Sequence, residues 1–429
     1  MAVIPKKVRI IIISIIVCIV LSPFIISGIF YLHHQITCLT IGNPKTVEFA
    51  KSELPIYHDI AVDDNQNIHL VWQSDDEEIL YQKSIDQGNT WSTPVELYTD
   101  QRLASWPIDD RDHRCLNPQI VSADNVISVF WGQGGFYQSV SLDGGDSWEL
   151  TDNTYDGFDF NFVNRNHYIY LVYGYSDGTY FTTSEDFGLH WKIPRRIAPS
   201  RFRDCLLRKP SVSFSNGSIH VLWGKDPRLF YCYSDNSGES WADIKEIDTD
   251  IKGPKYNPHA FSCSKIGASR EQIAIARDYV GLGIRLSEDK GITWSRPRKT
   301  SKSKLRSISI YNNDNDDIYI FWIDQSNRNT SWWGYIPFHF VLTWDNDPDW
   351  HNNDLYYARI RNGEINRTER LTTPLSYTET GLLTYYRPNT IACDQLGDKV
   401  VVFWSGKRKI DKYPEETDMP YEIYYKFLD

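Results

Sequence analysis

Seven short segments of this chain share one pattern, in which branched aliphatic residues recur around polar or aromatic ones and the segment closes on a large side chain. They read IHLVW (68–72), ISVFW (127–131), IYLVY (169–173), IHVLW (219–223), IAIAR (273–277), IYIFW (318–322) and VVVFW (400–404). That length and alternation predict β-strands. The first five are each followed by a second signal, a turn box with serine first, an acid or amide third, glycine fifth and tryptophan eighth. The boxes are Ser84, Asp86, Gly88 and Trp91; Ser141, Asp143, Gly145 and Trp148; Ser184, Asp186, Gly188 and Trp191; Ser234, Asn236, Gly238 and Trp241; and Ser287, Asp289, Gly291 and Trp294. Short polar side chains at positions one and three hydrogen-bond the backbone of a tight turn, glycine supplies positive φ, and tryptophan buries apolar area beyond it. Each box is therefore predicted to close a hairpin.

The boxes recur every 43 to 57 residues, a period that fits one four-stranded propeller blade. The expected fold is all-β, a propeller of four-stranded blades. The seven strand segments favour seven blades, with six as the alternative. The last unit stops after a third strand at YEIYYKFLD, while TVEFAKS (46–52) stands before the first unit without a partner. That segment is expected to supply the missing outer strand, joining the two ends of the chain and removing an open sheet edge.

The box resembles the Asp box of sialidases, whose role in that family is structural, and sialidases have six blades. In the fifth unit the resemblance goes further: in QIAIARDYVGLGIRLSEDKGITWSRPR, Arg277 and Arg285 match two arginines of the sialidase blade whose first binds the substrate carboxylate. Guanidinium forks converging on one carboxylate give bidentate, charge-assisted hydrogen bonds that lysine cannot reproduce. The rest of the sialidase pattern is not met. Its Phe-Arg-Ile-Pro motif is absent, and the nearest relic, Arg387-Pro388 after Tyr385-Tyr386, lies in the last unit rather than the first. The glutamate that pairs with the family's nucleophilic tyrosine is expected near YNPHAF (256–261), which contains no acid. Within the resemblance, Tyr386 takes the place of the nucleophile and Asp112, in the loop SWPIDDRDHRC, that of the general acid.

Two features of the chain's start and composition place the protein. Residues 10–32 contain no Asp, Glu, Lys or Arg, long enough at helical rise to cross a bilayer. Lys6, Lys7 and Arg9 precede this stretch, so the positive-inside bias leaves residues 1–9 cytoplasmic, makes 10–32 a signal anchor and 33–45 a linker, and exports the propeller, residues 46–429. A cleaved signal peptide followed by secretion is the alternative; the stretch is long for one and lacks a good cleavage site. A net charge of -11 without a long basic run excludes a nucleic-acid backbone as partner. Of seven cysteines, Cys115, Cys205, Cys232, Cys263 and Cys393 fall in the propeller, an odd set that none of the metal-ligand spacings fits. Asp345, Asp347 and Asp349 alternate without the rest of a calcium loop and read as a solvated acidic segment. No cofactor or metal is implied.

If the boxes lie between third and fourth strands, the opposite face gathers the second-to-third and blade-to-blade connections. These are the long ones: 97–117, 200–210, 323–354, 373–388 and 405–420. Elaboration of one face marks it as functional. The 323–354 insertion carries SWWGYIPFHF, where Trp332 and Trp333 are candidate sugar-stacking platforms. Arg208, Arg306 and Arg387 open other inner strands and are expected to point to the same mouth. Two functions follow from these residues: a membrane-anchored propeller binding a glycan or protein partner on this face, or an exo-glycosidase of sialidase type acting on an acidic sugar.

Overall fold

The computed structural model describes residues 45–47, 57–98, 117–199, 208–247, 264–324, 354–372, 376–377, 383–410 and 421–428, with breaks of one to three residues inside the longer spans. The apolar stretch 10–32 lies outside them, and among the described residues no helix is long and apolar enough to cross a membrane.

The described chain forms seven antiparallel sheets. The first blade is His58–Val62, Ile68–Gln73, Ile79–Ser84 and Val95–Tyr98, and the next four repeat that order from the channel outward. The sixth carries short outer pieces, Glu364–Ile365 and Glu369–Arg370, on its third strand. The seventh is built from Leu383–Leu396, Lys399–Ile410 and Tyr421–Leu428. Its outer strand comes from the start of the chain, where Lys45 pairs with Tyr425 and Thr46 with Tyr424. The predicted closure and the count of seven blades are thus observed. The closing strand is Lys45–Thr46, at the edge of the expected segment; 48–56 lie outside the described residues.

Among the described residues there is no single central core. Seven apolar clusters each fill the wedge between two neighbouring blades, from Trp72 against Phe403 (blades one and seven) to Trp322 against Ala276 (blades six and five). Because every blade is covered on both faces, the second strands are buried along their whole length, as in Ile68–Gln73 and Ile318–Asp324. This is why those strands read as nearly continuous apolar runs.

The boxes stitch these wedges shut on the outer side. In each box the serine hydroxyl accepts the glycine amide and donates to the third residue, as when Ser84 Oγ takes Gly88 N at 2.7 Å and bonds Asp86 Oδ1 at 2.9 Å. The carboxylate then receives the amide and hydroxyl of Thr90 at 2.8 and 2.7 Å. Asn236 keeps this geometry by turning its amide nitrogen toward Ser240 Oγ at 2.8 Å.

Positive φ occurs at two successive box positions. The fourth holds Gln87, Gly144, Phe187, Ser237 and Lys290, whereas the fifth is glycine every time. The non-glycine residues at the fourth position have φ of 55° to 60°, whereas φ at the fifth is 77° to 91°, and the neighbouring blade adds a second demand for glycine there. In four of the five boxes the third strand of the preceding blade sends a ring between the box glycine and the box tryptophan; in the third box Gln138 and the Phe130 ring crowd Gly188 instead. Tyr81 sits against Gly145 and edge-on to Trp148, with ring centroids 4.7 Å apart. Phe181 does the same for Gly238 and Trp241, Tyr231 for Gly291 and Trp294, and Tyr425 for Gly88 and Trp91. A Cβ at any of these glycines would overlap the ring.

Candidate functional site

Strand polarity sorts the connections into two faces. First-to-second turns and all five boxes lie at one end, the box face; second-to-third and blade-to-blade connections lie at the other, the loop face. Box-face turns are short, such as 124–125, 216–217 and 397–398, while 99–118, 247–263, 325–353 and 411–420 all leave strand ends on the loop face. The asymmetry expected from sequence is present, although most of those long connections lie outside the described residues.

The seven inner strands enclose a channel of about 1020 Å³. Aligning blades by register places one residue of each inner strand at a common level near the loop face: Asp59, Gln119, Asn161, Ser211, Lys265, Ser309 and Ala392. Six of the seven are polar, and an inner strand needs such residues because its free edge faces the channel with unpaired amides. Asp59 accepts the amide of Ile120 at 3.0 Å, Asn161 that of Val212 at 3.0 Å and Ser211 that of Ile266 at 3.2 Å. Gln119 instead donates to Phe160 O at 3.3 Å, and Ser309 meets Cys393 Sγ at 3.7 Å. Nearer the box face, Asp394 accepts Val62 N at 2.7 Å and Ser213 accepts Ala268 N at 3.0 Å. Polar side chains thus carry hydrogen bonding from blade to blade around the channel wall.

The ring also concentrates charge. Burial raises the Asp59 carboxyl to about 7, against the amides of Ile120 and Ile60 that favour its ionised form; the Asp394 carboxylate adds to the rise and the Lys265 ammonium opposes it. Asp59 keeps some surface open, but that surface faces the channel, where protein surrounds it, so desolvation governs. Burial likewise lowers His58 to about 4 and pushes the Cys393 thiol up to about 12. Cys232 and Cys393 are free, which leaves no internal bridge between them.

The seventh blade rises above its neighbours on the loop face. Its first two strands run 14 and 12 residues, and the pairing continues past Trp404 to Thr384 opposite Ile410. The extension stands about 15 Å beyond the blade body at ordinary strand rise. Register brings Tyr385 opposite Lys409, Tyr386 opposite Arg408 and Arg387 opposite Lys407, so four basic residues and two tyrosines share one projection, with Ser376–Tyr377 paired to its tip at Thr384 and Leu383 and Tyr421 paired with Lys407.

The arginines singled out from sequence are distributed as follows. Arg277 occupies the end of the fifth second strand, the position held by Trp72, Trp131, Tyr173, Trp223, Trp322 and Trp404 in the other blades. It is 5% exposed and its guanidinium lies 5.4 Å from the ring centroid of Tyr279. Arg285 is 2% exposed; its Nη1 donates to Ser295 O at 2.7 Å and its Nε lies 3.4 Å from Tyr279 Oη, ties that hold the fifth hairpin together. Neither lines the channel. Arg208, Arg306 and Arg387 lie on the inner strands of blades four, six and seven, and Tyr386 precedes Arg387; their backbone placement is described, their side chains are not. Asp112, Trp332 and Trp333 lie outside the described residues.

Sequence reasoning missed the channel ring and the basic projection. A polar residue stands eight or nine positions before the first apolar residue of nearly every second strand, and the run GKRK (406–409) is legible as a charge cluster. Neither points to a site until the blades are closed into a circle.

No model of a known protein family matches the sequence, and no curated protein does. Among solved structures, an ulvan lyase of polysaccharide lyase family PL25 bound to -[GlcA(1-4)Rha3S]- aligns with a TM-score of 0.53 at 13% identity, over 86% of this chain and 92% of that one. The BP39L lectin from Burkholderia pseudomallei aligns with a TM-score of 0.52 at 12% identity, over 83% of this chain and 96% of that one. At these identities the likeness is one of fold, and what it establishes is the propeller.

Proposed function

We propose that the propeller binds an acidic glycan on its loop face, held outside the cell by the N-terminal anchor. The observation that carries this reading is the basic projection of blade seven, where Arg387, Lys407, Arg408 and Lys409 come into register beside the channel mouth. Guanidinium and ammonium groups bind carboxylate or sulfate through charge-assisted hydrogen bonds, and the paired Tyr385 and Tyr386 positions add ring surface for a sugar. Two propellers of similar fold, a lectin and a lyase bound to a uronate-containing saccharide, support the reading by showing what such a scaffold can carry. A protein partner with an acidic surface would use the same charges.

A glycan array probed with the full chain in detergent tests this. Retention should concentrate on uronate, sialylated or sulfated saccharides and fall in Arg408→Ala. Retention on neutral glycans alone, or none, would overturn it.

A second reading is hydrolysis of an acidic sugar by a sialidase-type site, favoured by Arg277 standing where six other blades carry an aromatic ring. Release of 4-methylumbelliferone from its sialic-acid glycoside, abolished by Arg277→Ala, would establish it. The engagement of Arg285 with Ser295 and Tyr279 weighs toward binding rather than catalysis.

A further inference from the structure

Large apolar side chains exposed among the described residues are not scattered. Nine are exposed, and eight of them (Ile85, Leu142, Leu150, Leu189, Ile193, Ile244, Ile292 and Val95) lie in the boxes or in the residues that lead from them into the fourth strand. Ile193 is 88% and Ile85 73% exposed. The ninth, Tyr175, ends a second strand on the loop face. Single exposed apolar residues need no explanation, but eight gathered on one face do.

The start of the chain supplies the occupant. Lys45 pairs with Tyr425, three residues from the box-face end of the last strand, and its Nζ donates to Asn89 Oδ1 in the first box at 2.8 Å. The closing strand therefore runs from the box face toward the loop face, and the chain enters it at the box face. That preceding chain contains the uncharged stretch 10–32, and the segment 33–44 between them can span at most about 40 Å when fully extended. Cations stand beside some of the acids at this face, where Lys83 pairs with Asp146, Lys192 with Glu185, and Lys290 with Asp235 at 3.0 Å, while the carboxylates of Asp86, Asp143 and Asp289 are held by hydroxyls and amides of their own boxes. Aliphatic tips set on a rim of mixed charge suit the headgroup interface of a zwitterionic bilayer, which itself carries both signs.

We propose that the box face rests on the lipid bilayer, with Ile85, Leu142, Leu189, Ile193 and Ile292 seated among the headgroups and the loop face turned outward. This rests on reading 10–32 as an anchor. It also assigns the exposed aliphatic residues of the boxes a role apart from the stitching done by glycine and tryptophan, and it leaves the channel mouth and basic projection facing the surroundings of the cell.

The test is photo-crosslinking of the full chain in phosphatidylcholine nanodiscs, with p-benzoylphenylalanine replacing Ile193 or Ile292 and, as control, Tyr175. Lipid adducts at 193 and 292, with none above background at 175, are expected. Absence of adduct at 193 and 292, or equal adduct at 175, overturns the orientation, as does a protein crosslink replacing the lipid adduct at 193 in native membranes. Alkaline carbonate extraction separates the two possible failures. A chain that stays with the membrane yet gives no adduct has lost only the orientation, whereas a chain released by carbonate has lost the anchor itself.

Discussion

Adjacent glycines in the second box separate two reasons for glycine. Gly144 and Gly145 both have positive φ, at 71° and 91°. A Cβ on Gly144 meets nothing within 4 Å, and its counterparts in the other boxes are Gln87, Phe187, Ser237 and Lys290 at φ of 55° to 60°. A Cβ on Gly145 falls on the Tyr81 hydroxyl, with Tyr81 Cζ at 2.7 Å. That ring cannot swing away, because Tyr81 is fully buried and its hydroxyl is tied to His69 Nδ1 at 2.7 Å. Gly144→Ala should therefore cost about 1 kcal/mol, the strain of a side chain in the left-handed region. Gly145→Ala adds an overpacking cost of about 1–3 kcal/mol to a similar strain, for a total of about 2–4 kcal/mol. Urea unfolding of both variants, followed by tryptophan fluorescence, reads the difference. Tyr81→Ala combined with Gly145→Ala should cost less than the sum of the single changes, since the first removes what the second collides with. Equal losses for the two glycine variants, or strict additivity in the double variant, would refute the view that the preceding blade imposes glycine on the box.

Three further outcomes follow from the same contacts. Asp59 has a folded pKa raised to about 7 from an ordinary 3.8, so its neutral form is favoured in the native state and stability is lost as pH rises from about 4 through 7. Asp59→Asn, which still accepts the Ile120 amide, should flatten that limb in thermal unfolding across pH 4 to 8 and recover about 2–4 kcal/mol above pH 7, the lower end allowing for water in the channel; an unchanged slope would count against the assignment. Asp289 is held low, at about 2, chiefly by the Thr293 hydroxyl and amide, so its contribution is present above pH 4 and is lost as pH falls toward 2; Asp289→Asn should leave the protein folded, as Asn236 does in its own box, yet less stable at pH 7 in urea unfolding, with a flatter fall in stability between pH 4 and 2. Tyr425→Ala removes the ring seated on Gly88 beside the closing strand and should cost about 3–5 kcal/mol, measured by urea unfolding and by faster proteolysis between residues 33 and 57.

The repeat made most of the fold legible. Strand alternation and turn chemistry act within ten residues, so the seven second strands, the five hairpins and the unpartnered first and last segments could be read directly, and with them the blade count and closure. The two-faced distribution of connections followed from the same reasoning. What only the tertiary structure decided concerns partners about fifty residues apart or at opposite ends of the chain. Glycine in the boxes reads locally as a turn residue, but Tyr81, Phe181, Tyr231 and Tyr425 reach it from another blade. Asp59, Lys265 and Asp394 become one electrostatic group because circular closure sets blades one, five and seven around a shared channel. Arg285 reads from sequence as a ligand for an acidic sugar, and only the fold shows that its guanidinium also bonds Ser295 and Tyr279 within its own hairpin. The local pattern fixes which strands form, whereas the space left beside each side chain depends on the neighbouring blade, and that is set only when all seven wedges pack at once.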